Sequence, residues 1–230
     1  MKDLYGQALL DYQEGNEKDL WIETSYGTTE EMPVSHFFRE YDGLPDIEKV
    51  ALQFCQGHIL DVGAGTGIHS IILQNAGNDV TSLESSALAC SVIKKHGVHK
   101  ILNQDFYRLS RKETYDTLLI LMNGLGMAGT LTNLPQFLQQ ASILLAHGGQ
   151  ILIDSSDINY LYEDEGVPRP QGYYGELSYR YLYDGIKGEW FSWLYADTAT
   201  LEQHAAQAGL ECDILFFEEN DQYLARLYRK

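Results

Sequence analysis

Gly63, Gly65 and Gly67 follow directly on a short apolar run, in the order His58-Ile59-Leu60-Asp61-Val62-Gly63-Ala64-Gly65-Thr66-Gly67. His58 to Val62 reads as a buried strand. Glycines in the turn that leaves it permit positive φ and a close approach of backbone to ligand. The helix that follows offers free N–H groups at its N-terminus. A second strand, Val80 to Leu83, ends at Glu84, where a carboxylate can accept hydrogen bonds from ribose hydroxyls. Loop and acid together predict an adenosine-type ligand at the carboxyl ends of parallel strands. A dinucleotide turn reads GxGxxG and keeps the helix N-terminus clear for a pyrophosphate. Here the run is GxGxG and Asp61 stands just before it. A sulfonium nucleoside has no pyrophosphate, and its positive sulfur and ammonium favour a nearby acid.

Other residues could take part. His69, in the first turn after the glycine loop, could approach the acceptor or the amino-acid end of the ligand, or be a partly buried polar contact. Tyr5 and Tyr12 share the first helix of an N-terminal extension that also holds His36 and Arg39; these are either lid contacts or packing groups. Asn123, Asp154 and Asp157 carry oxygen ligands of the kind Mg²⁺ takes, but their spacing suits it poorly, and no metal is expected. Cys55, Cys90 and Cys212 are far apart, form no CxxC pair and are expected to be free buried thiols.

These groups need a scaffold, and its rhythm is legible. Asp46 can cap a helix with apolar positions Ile47, Val50, Ala51 and Phe54. After the glycine loop, Ile68, Ile71 and Ile72 begin another, which Gly77 ends. A third helix carries Leu88, Ala89, Val92 and Ile93 and closes at Gly97, followed by a strand over Lys100–Asn103. Thr117–Leu121 is continuously apolar, as a central parallel strand should be. A helix with Leu134, Phe137, Leu138, Ala141, Leu144 and Leu145 is expected to end at Gly148-Gly149, before a strand at Ile151–Ile153. A helix over Thr200–Ala208 and strands over Cys212–Phe217 and Tyr223–Tyr228 finish the chain. Strands alternating with helices predict an α/β fold with a doubly wound, mostly parallel sheet. Residues 1–44 read as a lid extension with helical character, and 45–230 as the main domain. An insert at about 158–197 breaks the rhythm with an antiparallel hairpin, Leu177–Tyr183 and Glu189–Tyr195, around Asp184-Gly185-Ile186-Lys187-Gly188. Tyr179, Tyr181 and Tyr183 fall on one face of its first strand, and Phe191, Trp193 and Tyr195 on one face of its second. That pattern gives cross-strand packing or an aromatic wall over an acceptor pocket.

Asp61-Val62-Gly63-Ala64-Gly65-Thr66-Gly67 resembles the first motif of the class I S-adenosylmethionine methyltransferases. Val80 to Glu84 is similar to the second. Asn103-Gln104-Asp105-Phe106 looks like the stretch that meets adenine, and Tyr115-Asp116 through Met122-Asn123-Gly124 like the fourth strand and the loop facing the transferable methyl. Gly148 to Ile153 resembles the turn into the fifth strand. The resemblance covers roughly Asp46 to Asp157 and the tail. It implies a Rossmann-like sheet of about seven strands, the last antiparallel. It also implies S-adenosylmethionine as cofactor, with S-adenosylhomocysteine as product. The implied cofactor residues are Asp61, Gly63, Ala64, Gly65, Gly67, Glu84, Ser85, Asp105, Phe106 and Asn123. Asn123, His69 and Tyr12 are the candidates for a catalytic role. The loop Asn123-Gly124-Leu125-Gly126 departs from the Asn/Asp-Pro-Pro-aromatic motif of enzymes that methylate bases or glutamine.

The 33 Asp and Glu against 16 Lys and Arg make a surface that repels phosphate backbones and anionic lipid. The partner expected is a small-molecule methyl acceptor, with neither nucleic acid nor membrane. The first residues lack an apolar core with a cleavage site, and no apolar run could span a bilayer, so a cytoplasmic protein is expected. A non-catalytic nucleoside-binding regulator and a protein methyltransferase stay open as alternatives.

Overall fold

The computed structural model describes residues 2–163, 166–218 and 221–230. Helix α1 (Leu4–Gln13) is followed by strands β1 (Leu20–Thr24) and β2 (Thr29–Glu31) and two 3-10 turns, Val34–Phe38 and Tyr41–Gly43. The alternating core runs α2 (Asp46–Phe54), β3 (His58–Val62), α3 (Ile68–Asn75), β4 (Asp79–Glu84), α4 (Ala87–Lys95), β5 (Lys100–Asn103), β6 (Tyr115–Ile120), α5 (Leu134–Leu144) and β7 (Leu145–Ser156). Next come α6 (Tyr160–Glu163), β8 (Glu176–Tyr183), β9 (Ile186–Lys187) and β10 (Phe191–Leu194), then α7 (Thr198–Gln207), β11 (Glu211–Phe217) and β12 (Gln222–Tyr228). No described helix is long and apolar enough to cross a membrane.

The main sheet has the order β11-β12-β7-β6-β3-β4-β5. The run from β7 to β5 is parallel, and β12 is antiparallel to both its neighbours. Alternate residues of each central strand enter different cores. Leu60, Leu118, Ile120, Ile151 and Ile153 pack with Phe137, Leu138 and Leu201 on the α5 and α7 side. Ile59, Leu119 and Leu152 pack with Ile47, Ala51 and Ile68 on the α2 and α3 side. Burial on both faces is why β6 is apolar throughout, and each such side chain contributes about 1.5–3 kcal/mol.

The expected helices and strands form, with four differences. The expected turn Asp184–Gly188 is split: Ile186–Lys187 pair as β9, and the second strand, expected over Glu189–Tyr195, is β10. Asp46 does not cap α2: Pro45 is the N-cap, without a side-chain bond, and Asp46 lies in the first turn. The Ile47 N–H is served instead by the Glu218 carboxylate at 2.9 Å. Gly148-Gly149 do not end α5. Leu145 already pairs with Tyr115, and the glycines lie inside β7 at a register shift. A Cβ at Gly149 would meet the Tyr115 carbonyl at 2.9 Å, so the close strand approach requires glycine. The extension is not only helical: β1 and β2 join β8 and β10 in a second, antiparallel sheet ordered β10-β8-β1-β2.

In that sheet β8 turns into β9 through Asp184 and Gly185, both at positive φ (50° and 73°), the geometry of a tight type I′ hairpin. A one-residue register slip at Gly188–Trp190 lets β10 continue along the same edge of β8. The insert is tied to the main domain by Asp197. Its carboxylate caps α7 through the Thr200 N–H (2.9 Å) and Thr200 hydroxyl (2.7 Å), and accepts from the Tyr173 hydroxyl (2.7 Å). Burial opposes its charge, but the bonds from Thr200, Tyr173 and Tyr174 outweigh it and hold the carboxyl below its ordinary value. A depressed pKa contributes stability above the unfolded value that is lost as pH falls through the folded one. Asp197→Ala should therefore cost about 1–2 kcal/mol at neutral pH, and the deficit should shrink in acid. Urea unfolding of both proteins at two pH values checks this, and an equal deficit at both would contradict it.

Candidate active site

In the main sheet β3 has β4 on one side and β6 on the other. The chain winds outward from β3 in one direction through β5 and in the other through β7, so the crevice beyond β3 and β6 is a topological switch point. The glycine loop leaves β3 there, and the Met122–Gly126 loop leaves β6 beside it. Gly63, Gly65 and Gly67 all have positive φ (72°, 58° and 80°). Gly67 is also required by packing, since a Cβ there would lie 3.0 Å from Ile93 of α4.

The loop's N–H groups are largely consumed within the chain. Gly63 and Ala64 donate to the Leu83 carbonyl (2.9 and 3.1 Å), Gly67 to the Ala64 carbonyl (2.7 Å), and Gly65 to the Glu84 carboxylate (3.0 Å). None of these four is left to bind a phosphate. Glu84 is buried and also accepts from the Ser86 N–H at 2.8 Å. Burial raises its pKa, against the lowering effect of those N–H bonds. Its oriented carboxylate keeps lone pairs that could accept two ribose hydroxyls. Ser85 is exposed beside it.

Asp61 is buried under the loop and accepts from the Ser70 hydroxyl at 2.6 Å, which in turn accepts from Ser82 at 2.6 Å. Burial raises its pKa, while the nearby His69 charge and Ser70 pull it down. Asp105 is exposed at the far end of the crevice and caps the turn Phe106–Arg108 through the Tyr107 N–H (2.7 Å). The Phe106 ring is buried against Phe137.

After β6 the backbone is strained. Met122 and Asn123 are consecutive non-glycine residues at positive φ (66° and 56°), a conformation that costs of order 1–3 kcal/mol per residue unless its surroundings hold it. Asp154 of β7 supplies the hold. Its buried carboxylate accepts from the N–H groups of Asn123 and Gly124, both at 2.9 Å, and from Gln222 at 2.9 Å. Burial pushes its pKa up to about 6. The Asn123 side chain accepts from Ser156 at 2.8 Å. Asp154 is thus a backbone clamp, and Asp157 accepts from the Asn159 N–H and the Tyr174 hydroxyl. Among the described residues no group of three His, Cys, Asp or Glu could hold a metal ion.

Two further elements roof the crevice. The Tyr5 hydroxyl of α1 lies over the loop, 3.0 Å from where a Gly65 Cβ would be. Its ring meets Phe37 edge-on at 5.2 Å and stacks on Tyr181 of β8 at 5.6 Å. Burial, then the Tyr181 and Glu84 oxygens, raise the Tyr5 pKa, so the phenol stays neutral. Tyr181 continues through Phe191 (5.1 Å) to Trp193 (6.3 Å), and the Tyr179 and Tyr195 hydroxyls bond at 3.1 Å. Trp193 lies against Gly126. Tyr12 instead packs on Phe38 at 4.7 Å, His36 is exposed, and Arg39 and His69 both meet the buried Glu48. Sequence reasoning missed Glu48, for which an acid within an amphipathic helix gives no signal, and Thr66, whose hydroxyl donates to the Phe37 carbonyl.

A Rossmann-like sheet with a glycine loop and a ribose-type acid at its switch point defines a nucleoside-binding α/β fold. A family model described as a methyltransferase domain matches residues 60–153. An S-adenosylmethionine-dependent methyltransferase from Bacteroides fragilis, solved with S-adenosyl-L-homocysteine, is 38% identical. That match covers 99% of this chain and 95% of that one, with a TM-score of 0.92. Glycine/sarcosine N-methyltransferase from Aphanothece halophytica is 26% identical over 138 residues, 57% of this chain and 49% of that protein, so the match spans about half of that curated relative. The CcbJ methyltransferase of Streptomyces caelestis, 18% identical with a TM-score of 0.64 over 82% of this chain and 94% of its own, shares the fold. The chain belongs to the class I S-adenosylmethionine-dependent methyltransferases, and its cofactor is S-adenosylmethionine.

A Cβ at Gly126 would lie 1.9 Å from the Trp193 indole nitrogen. Gly126→Ala should therefore displace Trp193 and cost about 1–3 kcal/mol, as overpacking does. Urea unfolding followed by intrinsic fluorescence checks this: a lower midpoint and a red-shifted native spectrum are expected, and an unchanged midpoint would refute the contact.

Proposed function

We propose that this protein transfers the methyl group of S-adenosylmethionine to a small molecule held between the Met122–Gly126 loop, α1 and the aromatic face of the second sheet. The observation that carries the reading is the stack of Tyr5 on Tyr181 above Gly65. It brings two separate additions to the core, the extension and the insert, together over the glycine loop. A roof of that kind suits a compact acceptor better than a polymer. The formal charge of −17 also disfavours nucleic acid. The 26%-identical relative is an N-methyltransferase of glycine and sarcosine, in keeping with a small acceptor.

Within this reading Gly63, Ala64, Gly65 and Gly67 bed the cofactor, and Glu84 accepts its ribose hydroxyls with Ser85 alongside. Asp61 faces the methionine end, Asp105 and Phe106 border the adenine, and Asn123 lies beside the reacting centre. Bound S-adenosylmethionine supplies an electrophilic methyl on a sulfonium. The chain's own contribution is then position and dryness: in-line transfer needs the acceptor atom aligned, and alignment alone can lower a barrier by several kcal/mol. The Asp154 clamp fixes the Asn123 backbone on one side, and the neutral tyrosines exclude water on the other. Aromatic faces in an acidic protein also suit an amine-bearing acceptor.

Glu84→Ala should weaken S-adenosylhomocysteine binding at least tenfold, since each charge-assisted hydrogen bond is worth roughly 1.5–3 kcal/mol. Wild-type affinity by calorimetry would overturn the ribose assignment. A panel of metabolites scored for S-adenosylhomocysteine release identifies the acceptor. With that acceptor, Tyr181→Ala should lower kcat/KM by about tenfold or more, and an unchanged value would remove the aromatic face from the pocket.

A further inference from the structure

Arg39, Glu48 and His69 form a buried charged chain across three elements. Arg39 follows the 3-10 turn Val34–Phe38, Glu48 lies on α2, and His69 is the second residue of α3. One Glu48 oxygen accepts from the Arg39 guanidinium at 2.8 Å and the other meets His69 Nε2 at 2.7 Å. Glu48 and His69 are almost wholly buried, and the Arg39 Nε is buried with no partner among the described residues. Such a chain is expensive as a source of stability alone, because apolar residues of similar volume commonly do as well. What it provides is a fixed relation between the parts it joins.

Those parts are the lid and the cofactor loop. Two residues before Arg39, the Phe37 carbonyl accepts from the Thr66 hydroxyl. The Thr66 carbonyl meets His96 Nδ1 at 2.8 Å, and His96 Nε2 meets Gln13 of α1 at 2.7 Å. The lid is therefore fastened to the loop at Thr66 and to the helix leaving it at His69. The charged groups facing His69 are Glu48 from α2, Asp61 from β3 and Arg39 from the lid. Asp154 of β7 stands near enough to Glu48 for each to repel the other's charge. With His69 as imidazolium, two cations balance Glu48 and Asp61.

We infer that Glu48 and His69 are positioning residues that seat the lid against the glycine loop, and that the imidazolium form of His69 holds the loop in its cofactor-binding shape. The inference rests on the cofactor lying against Gly63–Gly67. Burial disfavours the His69 charge, but the Glu48 bond and the fields of Asp61 and Glu48 outweigh it and raise its pKa. A raised folded pKa means the contribution is complete in acid and is lost as pH rises through that value.

The test is calorimetric titration of the full chain with S-adenosylhomocysteine between about pH 6 and 8.5. In the wild type, affinity should fall by about tenfold as pH rises, equivalent to a one-unit difference in the His69 pKa between loaded and free protein. His69→Gln and Glu48→Gln should remove the pH step and stay near the weaker value. Hydrogen exchange over residues 34–44 should quicken in both variants and in the wild type at high pH. If either variant does not fold, the wild-type profile decides: a flat profile overturns the inference. So does a pH step of equal size in His69→Gln, or a variant with lowered Tm and unchanged affinity. The site reading itself fails separately, on Glu84→Ala.

Discussion

The hydrogen bond from the Gly65 N–H to the Glu84 carboxylate joins the ends of two adjacent parallel strands. It makes the glycine loop and the acid after β4 a single rigid piece. The loop cannot rise without stripping a buried carboxylate of a donor, and that carboxylate is already raised in pKa by burial. An unpaired buried charge is far costlier than a lost neutral contact. Loop and acid are therefore set before any ligand arrives, as an orienting site needs.

From this piece outward, each layer depends on the one beneath. The adjacency of β3 and β6 puts the strained Met122-Asn123 turn next to the loop, and Asp154 on β7 clamps that turn from the following strand. Gly126 then leaves the space that Trp193 fills, which seats the second sheet on the main one. That sheet is built from the N-terminal extension and the internal insert, since β1 pairs with β8. The extension and the insert are thus one structure.

The α/β core could be read from periodicity because its strands are buried on both faces. Leu118, Leu119 and Ile120 leave no alternative to a central strand, and Gly77 and Gly97 mark helix ends through positive φ. Local signals failed where a distant partner decides. Asp46 looked like a cap, but the bond to the Ile47 N–H comes from Glu218, 171 residues away in sequence. Gly148-Gly149 looked like a helix end, but the Tyr115 backbone claims the space. The insert's hairpin was legible around Asp184–Gly188, though the turn is the tighter Asp184-Gly185, whereas the pairing of β8 with β1 joins segments with no shared pattern. The placement of Glu84 and the glycines together at the switch point was legible from spacing. Tyr5 entered only as one of two tyrosines on the first helix, and Glu48 not at all, because burial makes it matter and a single sequence does not display burial.

The hydrogen bonding of the glycine loop explains why it serves a cofactor without a pyrophosphate where a similar loop elsewhere serves a dinucleotide. A pyrophosphate needs N–H groups free at the turn and no carboxylate below it. Here Gly63, Ala64, Gly65 and Gly67 spend their N–H groups on Leu83, Ala64 and Glu84, and Asp61 lies underneath. Those changes go together. A loop whose N–H groups are paired internally offers no donors to a pyrophosphate, which suits a ligand that carries none. The GxGxG spacing and the internal pairing of the loop's N–H groups on Leu83, Ala64 and Glu84 are thus two sides of one arrangement.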